Sequence, residues 1–234
     1  MFPADLFPID LKSDTITKPD AEMRRAMCEA EVGDDVYGED PTVRRLEKMG
    51  ADLLGKEAAL YVTSGTQGNL VSLLTHCGRG DGVILGQDSH ILNYEGGGLA
   101  ALGGMVPIPV DDEKGIPDMA TLERAMKPKG NVHFAYPRVL CLENTHNRAG
   151  GHASAPEEIA ERVSWAHKQG LSVHMDGARL FNATVAWSVT PAEMVKDVDS
   201  VQICLSKGLG APMGSLICAS GEFVERARYW RKKV

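Results

Sequence analysis

Leu171-Ser172-Val173-His174-Met175-Asp176-Gly177-Ala178-Arg179 is a mostly apolar run that ends on a carboxylate. A second run, Val201-Gln202-Ile203-Cys204-Leu205-Ser206-Lys207-Gly208, ends on a lysine. Neither shows the strict alternation of a half-exposed strand, so both read as strands covered on two faces. Working outward, similar β-rich runs occur at 59–63, 82–85, 105–110, 132–142 and 215–219. Helical patterns separate several of them. Asp40-Pro41 offers an N-cap and a first-turn proline before Val43, Leu46, Leu53 and Leu54, with Gly55 as the stop. Ser154 with Glu157 reads as a capping box, and Ile159, Val163 and Ala166 hold one apolar face up to Gly170. Phe223 to Val234 reads as a helix with no C-cap. Strands alternating with helices predict an α/β fold: a mostly parallel, roughly seven-stranded sheet covered by helices. Internal repeats and low-complexity linkers are absent.

The chain has 234 residues, 43% hydrophobic and 24% charged, ordinary values that exclude a disordered polymer. A net charge of −7 without Lys/Arg blocks argues against nucleic-acid or anionic-membrane partners. The five cysteines are widely spaced and form no CxxC, which favours a reducing, cytoplasmic setting over a disulfide scaffold or a zinc site. Met1 to Asp14 lacks a basic stretch followed by an apolar core, so it does not read as a secretory signal. Apolar runs fall short of the roughly 18 residues of a membrane span. Glycine is in excess, 25 residues, well above the average usage of about 7%.

In sheets of this kind, ligands sit beyond the carboxyl ends of the strands. Three strand-end segments lie there. Ser64-Gly65-Thr66 opens a helix whose first amides have no intrahelical acceptor, an arrangement suited to phosphate. Asp176 is placed to keep a heterocyclic nitrogen protonated. Lys207, with flexible and apolar flanks, suits Schiff-base formation with a carbonyl. For packing alone, each has a plainer reading: a capped turn, a carboxylate paired with Arg179, and a solvated surface amine. Together, a phosphate cradle, a pyridinium partner and an imine-forming lysine are the protein parts that pyridoxal 5'-phosphate requires.

Further blocks sharpen this. Asp10-Leu-Lys-Ser-Asp-Thr-Ile-Thr17, Val32-Gly-Asp-Asp-Val-Tyr-Gly-Glu-Asp-Pro41, Asp88-Ser-His-Ile91, Glu143-Asn-Thr-His-Asn147, His174-Met-Asp-Gly-Ala-Arg179 and Cys204-Leu-Ser-Lys-Gly208 run in order along most of the chain. In these blocks the sequence resembles the low-specificity L-threonine aldolases, enzymes with an aspartate-aminotransferase-like fold.

The resemblance implies retro-aldol cleavage of L-threonine and L-allo-threonine to glycine and acetaldehyde. It implies that Lys207 holds pyridoxal 5'-phosphate, Asp176 pairs with the ring nitrogen, and Gly65, Thr66 and Ser206 lie at the phosphate. His90 would stack on the ring, and Arg179 and Ser13 would meet the substrate carboxylate. His90 or His133 would take the proton of the substrate hydroxyl. Tyr37 would reach the site of a neighbouring subunit in a homodimer or homotetramer. His76, His146, His152, His167 and His174 have no role in this scheme, and no metal is expected. Residues 1–234 would form the cofactor-binding large domain with an N-terminal arm over about 1–40. A small C-terminal domain of the family, which supplies a carboxylate-binding arginine, would be missing. Two other readings stay open: a β-eliminating lyase of the same fold, and a catalytically silent chain that binds the cofactor or a partner subunit.

Overall fold

The computed structural model describes residues 9–113 and 115–234. The first eight residues, on which part of the signal and arm readings falls, lie outside them. After a 3-10 turn at Asp14–Ile16 come α1 (Ala21–Glu29) and α2 (Pro41–Leu54), then β1 (Ala58–Val62), α3 (Gly65–His76) and β2 (Gly82–Gly86). Short helices α4 (His90–Asn93) and α5 (Gly98–Ala101) lead to β3 (Val106–Val110), α6 (Met119–Ala125) and β4 (Pro137–Glu143). The chain continues through α7 (Pro156–Lys168), β5 (Ser172–Asp176), α8 (Leu180–Trp187) and α9 (Pro191–Val195). It then forms β6 (Ser200–Cys204), β7 (Ser215–Ala219) and α10 (Gly221–Arg231).

The seven strands form one sheet in the order β1-β7-β6-β5-β4-β2-β3. β7 is antiparallel to both its neighbours, and every other pair is parallel, so the remaining six strands share a direction. Val62 and Cys204 both pair with Ser215, which puts the carboxyl ends of β1 and β6 at the same edge as Asp176 and Glu143. Helices cover both faces, and every residue of β2, β6 and β7 is buried. Leu54, Leu60, Ile84, Leu140, Met175 and Ile217 are fully enclosed. Each such side chain contributes about 1.5–3 kcal/mol of transfer free energy. Pro107 and Pro109 lie on β3, which among the described residues pairs with β2 alone; their missing N–H groups suit an edge strand. Among the described residues no helix is long and apolar enough to cross a membrane.

Local signals mostly act as the sequence indicates. Asp40 Oδ1 accepts from the Val43 amide at 2.8 Å, and Gly55 ends α2 in the left-handed region at φ 62°. Two expectations need correction. The cap of α7 is Ala155, whose amide donates to Glu158 at 2.8 Å, one residue beyond the expected pair. Ser154 is already engaged: its amide donates to Asn144 Oδ1 and its hydroxyl to the Gly115 carbonyl. The expected strand from Val132 starts instead at Pro137. The Phe134 amide turns back onto the Asn131 carbonyl, and Tyr136 accepts from the Gly82 amide at the amino end of β2.

Gly86, the last residue of β2, has no room for a side chain, because a Cβ there would overlap the Asp112 carboxylate. That buried carboxylate accepts from His146 Nε2 at 2.8 Å and from the Asp88 amide at 3.0 Å. Gly86→Ala is expected to destabilise the fold by at least about 2 kcal/mol, through overpacking and displacement of a buried pair. Coincident urea midpoints for parent and variant would show that Asp112 can retreat without cost.

Candidate active site

At the carboxyl edge of the sheet, a cavity of about 160 Å³ is lined by Gly65, Thr66, Asn69, His90, Glu95, Asp176, Ala178, Gln202, Cys204, Ser206 and Lys207. The α3 helix presents its N-terminus here. Ser64 Oγ accepts from the Gln67 amide at 3.1 Å, while the Gly65 and Thr66 amides have no acceptor within the helix. A Cβ on Gly65 would meet Cys204 Sγ at 2.9 Å and Gln202 Nε2 at 3.3 Å, so glycine lets the turn sit against β6. Gln202 is fully buried, yet its Oε1 has no hydrogen-bond partner among the described residues.

β5 delivers Asp176 to the cavity nearly fully buried. Its Oδ1 accepts from the Ala178 amide at 3.0 Å and its Oδ2 from Asn69 Nδ2 at 2.9 Å. Asn69 Nδ2 also donates to Glu95 Oε1 at 2.7 Å, and His90 Nδ1 lies 3.0 Å from that same oxygen. The hydrogen bond to Glu95 holds the His90 imidazole pKa above its usual value, against the opposing effect of burial. Burial raises Glu95, with the nearby Asp176 charge adding to it. Glu143 is likewise raised by burial and by Asp176; its carboxylate accepts from the His90 amide at 2.7 Å and the Asn147 amide at 2.9 Å. The backbone of α4 is thereby fixed to the end of β4.

Lys207 follows β6 by three residues. Its carbonyl accepts from Thr17 Oγ1 at 2.7 Å, which fastens the N-terminal arm to the site. Its Nζ makes no hydrogen bond or ion pair among the described residues. The plainer pairing of Asp176 with Arg179 does not occur: Arg179 binds Asp14 in a bidentate pair at 2.6 and 2.8 Å. That contact depresses the Asp14 pKa. A second cavity of about 360 Å³, lined by Arg179, Phe181, Asn182, Val185, Gly208 and Leu209, shares Ala178 and Cys204 with the first.

The structure thus gathers Gly65, Thr66, His90, Asp176, Ser206 and Lys207 around one cavity and puts Arg179 in the next. Ser13 caps the turn that carries Asp14, with its hydroxyl accepting from the Thr15 amide at 3.2 Å. Tyr37 is 79% exposed and lines neither cavity. His133 is not brought here in this protomer. It lies exposed in the turn before Pro137, at the amino edge, while β4 runs away from it for about 20 Å to the site. Asp14, Asn69 and Glu95 are site residues that the sequence reading did not single out. Asn69 has a local signal, a polar residue one helical turn after Gly65, but the other two are joined to the site only through the fold.

Ligand atoms of His90, Glu95 and Asp176 lie within 4.8 Å of one another, a spacing a cation could use. Asn69 Nδ2 directs its hydrogens at both carboxylates, so a positive dipole already sits between them. The donor set better suits a planar heterocycle with an anionic tail: unpaired amides at a helix start, a buried carboxylate, an imidazole face and an unpartnered amine.

The beta-eliminating lyase family profile matches residues 10–234. The chain is 50% identical to low-specificity L-threonine aldolase 1 of Arabidopsis thaliana over 227 residues, covering 96% of this chain and 63% of that protein. It is 46% identical to the low specificity L-threonine aldolase of Escherichia coli K12, covering 96% of this chain and 66% of that protein. The chain therefore spans a little under two thirds of these relatives' length. The structure of Leishmania major threonine aldolase superposes with a TM-score of 0.80 at 24% identity, covering 94% of this chain and 65% of that one. At that identity the likeness establishes the fold.

Proposed function

The chain belongs to the beta-eliminating lyase family, and we propose that it is the cofactor-binding large domain of a pyridoxal 5'-phosphate-dependent threonine aldolase. The substrate in this reading is a small β-hydroxy amino acid, L-threonine or L-allo-threonine, cleaved to glycine and acetaldehyde. One observation carries it: unpaired helix-start amides, a buried carboxylate and an unpartnered lysine amine line a single cavity. The names of the relatives support the choice of reaction.

In this reading Lys207 Nζ attaches the cofactor, and Gly65, Thr66 and Ser206 hold its phosphate. Asp176 would hold the ring nitrogen protonated and His90 would cover the ring. When bound, the cofactor serves as an electron sink for the charge left at the substrate α-carbon. Arg179 receives the substrate carboxylate, and the Asp14 pair orients its guanidinium. Ser13 assists from the same turn. Tyr37, exposed on its own protomer, serves the site of a neighbouring copy in a homodimer or homotetramer. His90 takes the proton of the β-hydroxyl at Nε2, since Nδ1 faces Glu95.

To accept that proton His90 must be neutral, and Glu95 keeps it protonated above the usual imidazole pKa of about 6.5. Activity is therefore expected to rise with pH through this raised value. In Glu95→Gln the acidic limb of the profile should move to lower pH. A limb that stays in place would remove His90 from the role of base.

The function is tested by titrating the purified chain with pyridoxal phosphate, recording its visible absorption, then adding L-threonine and measuring acetaldehyde and glycine. Cofactor absorption with acetaldehyde release supports the aldolase. Ammonia and a keto acid from an aromatic amino acid would instead support β-elimination. Absorption without any turnover would support a cofactor-binding but silent chain. No cofactor uptake at all would sink the reading.

A further inference from the structure

Behind the Asp176 carboxylate runs a buried polar chain that the reaction above does not use. Asn69, His174 and Ser200 are each nearly or fully enclosed. His174 Nε2 lies 3.0 Å from Asn69 Oδ1, His174 Nδ1 lies 2.8 Å from Ser200 Oγ, and His76 Nε2 lies 2.8 Å from that same hydroxyl. The Asn69 amide lies at the head of the chain, between Glu95 Oε1 and Asp176 Oδ2.

The donors and acceptors fix a single direction. Two carboxylate oxygens face one end of the Asn69 amide, so that end is the NH₂ and the other is the carbonyl. The carbonyl needs a donor, which puts the proton of His174 on Nε2. His174 Nδ1 is then an acceptor and takes the single hydroxyl proton of Ser200. Ser200 has no second proton to give, so His76 donates to it from Nε2. Burial keeps both imidazoles neutral, with His174 at about 4 and His76 at about 3, so neither needs a second acceptor near pH 7. An amide does not relay protons as an imidazole or hydroxyl does, so the chain orients groups and conducts nothing.

We propose that Asn69 is a positioning residue that holds Asp176 and Glu95 at the cavity, locked by a one-way hydrogen-bond chain through His174, Ser200 and His76. The relevance to a ring nitrogen at Asp176 rests on the function proposed above, but the direction of the chain does not.

Long-range ¹H–¹⁵N correlation spectra of the cofactor-free chain at pH 7 test the direction. Both His76 and His174 should be neutral Nε2–H tautomers. An Nδ1–H tautomer or an imidazolium at either position would overturn the chain. In Asn69→Ala, His174 loses its acceptor and should populate the Nδ1–H form. The Glu95 carboxyl, followed by its ¹³C shift, should titrate at higher pH once its amide donor is gone. An unmoved Glu95 titration would overturn the positioning role. With pyridoxal phosphate as the probe, Asn69→Ala should bind about tenfold more weakly; equal affinity would also overturn it. If the parent chain takes up no pyridoxal phosphate, the proposed function fails while the tautomers and the Glu95 titration still decide this inference.

Discussion

Lys207→Ala is expected to abolish covalent cofactor capture and to lower threonine cleavage by about 10⁴-fold or more. In the proposed function the amine is the nucleophile that would form the bond to the cofactor, and its placement would supply an effective concentration on the order of 10⁵–10⁸ M. No other described amine lines the cavity, so no neighbour is placed to substitute. The fold should survive, because among the described residues the Lys207 side chain makes no hydrogen bond or ion pair whose loss would be felt. The contact that ties the arm to this loop uses the Lys207 carbonyl, which alanine keeps. Borohydride reduction of the cofactor-loaded parent followed by peptide mass spectrometry should label Lys207, and the variant should stay unlabelled. A labelled Lys207→Ala chain, or one with parental turnover, would mean that the attachment point lies elsewhere.

The sheet was legible because its strands announce themselves locally. β2, β6 and β7 are mostly apolar runs buried at every residue, and all but one expected strand lies within about two residues of its observed bounds. The exception shows what local reading cannot weigh. Val132, His133, Phe134 and Tyr136 are ordinary strand residues, but the chain turns at Asn131 and pairing begins only at Pro137. The expectation that His133 lies near the substrate hydroxyl came from the family resemblance, not from this strand reading; in this protomer the residue lies exposed before Pro137. Asp176 and Lys207 were legible for the opposite reason: a parallel strand carries its last residues to the ligand edge whatever the rest of the fold does. The partners of these residues were not. Arg179 meets Asp14 across 165 residues, and Asp176 meets Asn69 across 107. Periodicity does not encode such pairs, since they depend on which strand lies beside which. His174 shows the same limit: it had no role in the sequence reading, yet its Nε2 lies 3.0 Å from the oxygen of the amide beside Asp176.

Asp176→Ala is expected to release the cofactor readily and to cut turnover by about 10²- to 10⁴-fold. The carboxylate faces the cavity from a buried position, where one charge stabilises its opposite with little competition from water. Removing one partner of such a pair costs about 3–5 kcal/mol, which corresponds to that loss of rate. Part of the effect comes from the protein itself, because alanine leaves the Ala178 amide and one hydrogen of Asn69 Nδ2 without an acceptor. Asp176→Asn separates the two contributions. The amide oxygen can still accept from one of these donors and fills the same volume, yet it carries no charge to hold a ring nitrogen protonated. If the charge matters most, Asp176→Asn should keep more of the parental urea stability than Asp176→Ala and still lose most of its turnover. Parental turnover in Asp176→Asn would assign the carboxylate to packing alone and leave the ring nitrogen without a partner on this chain.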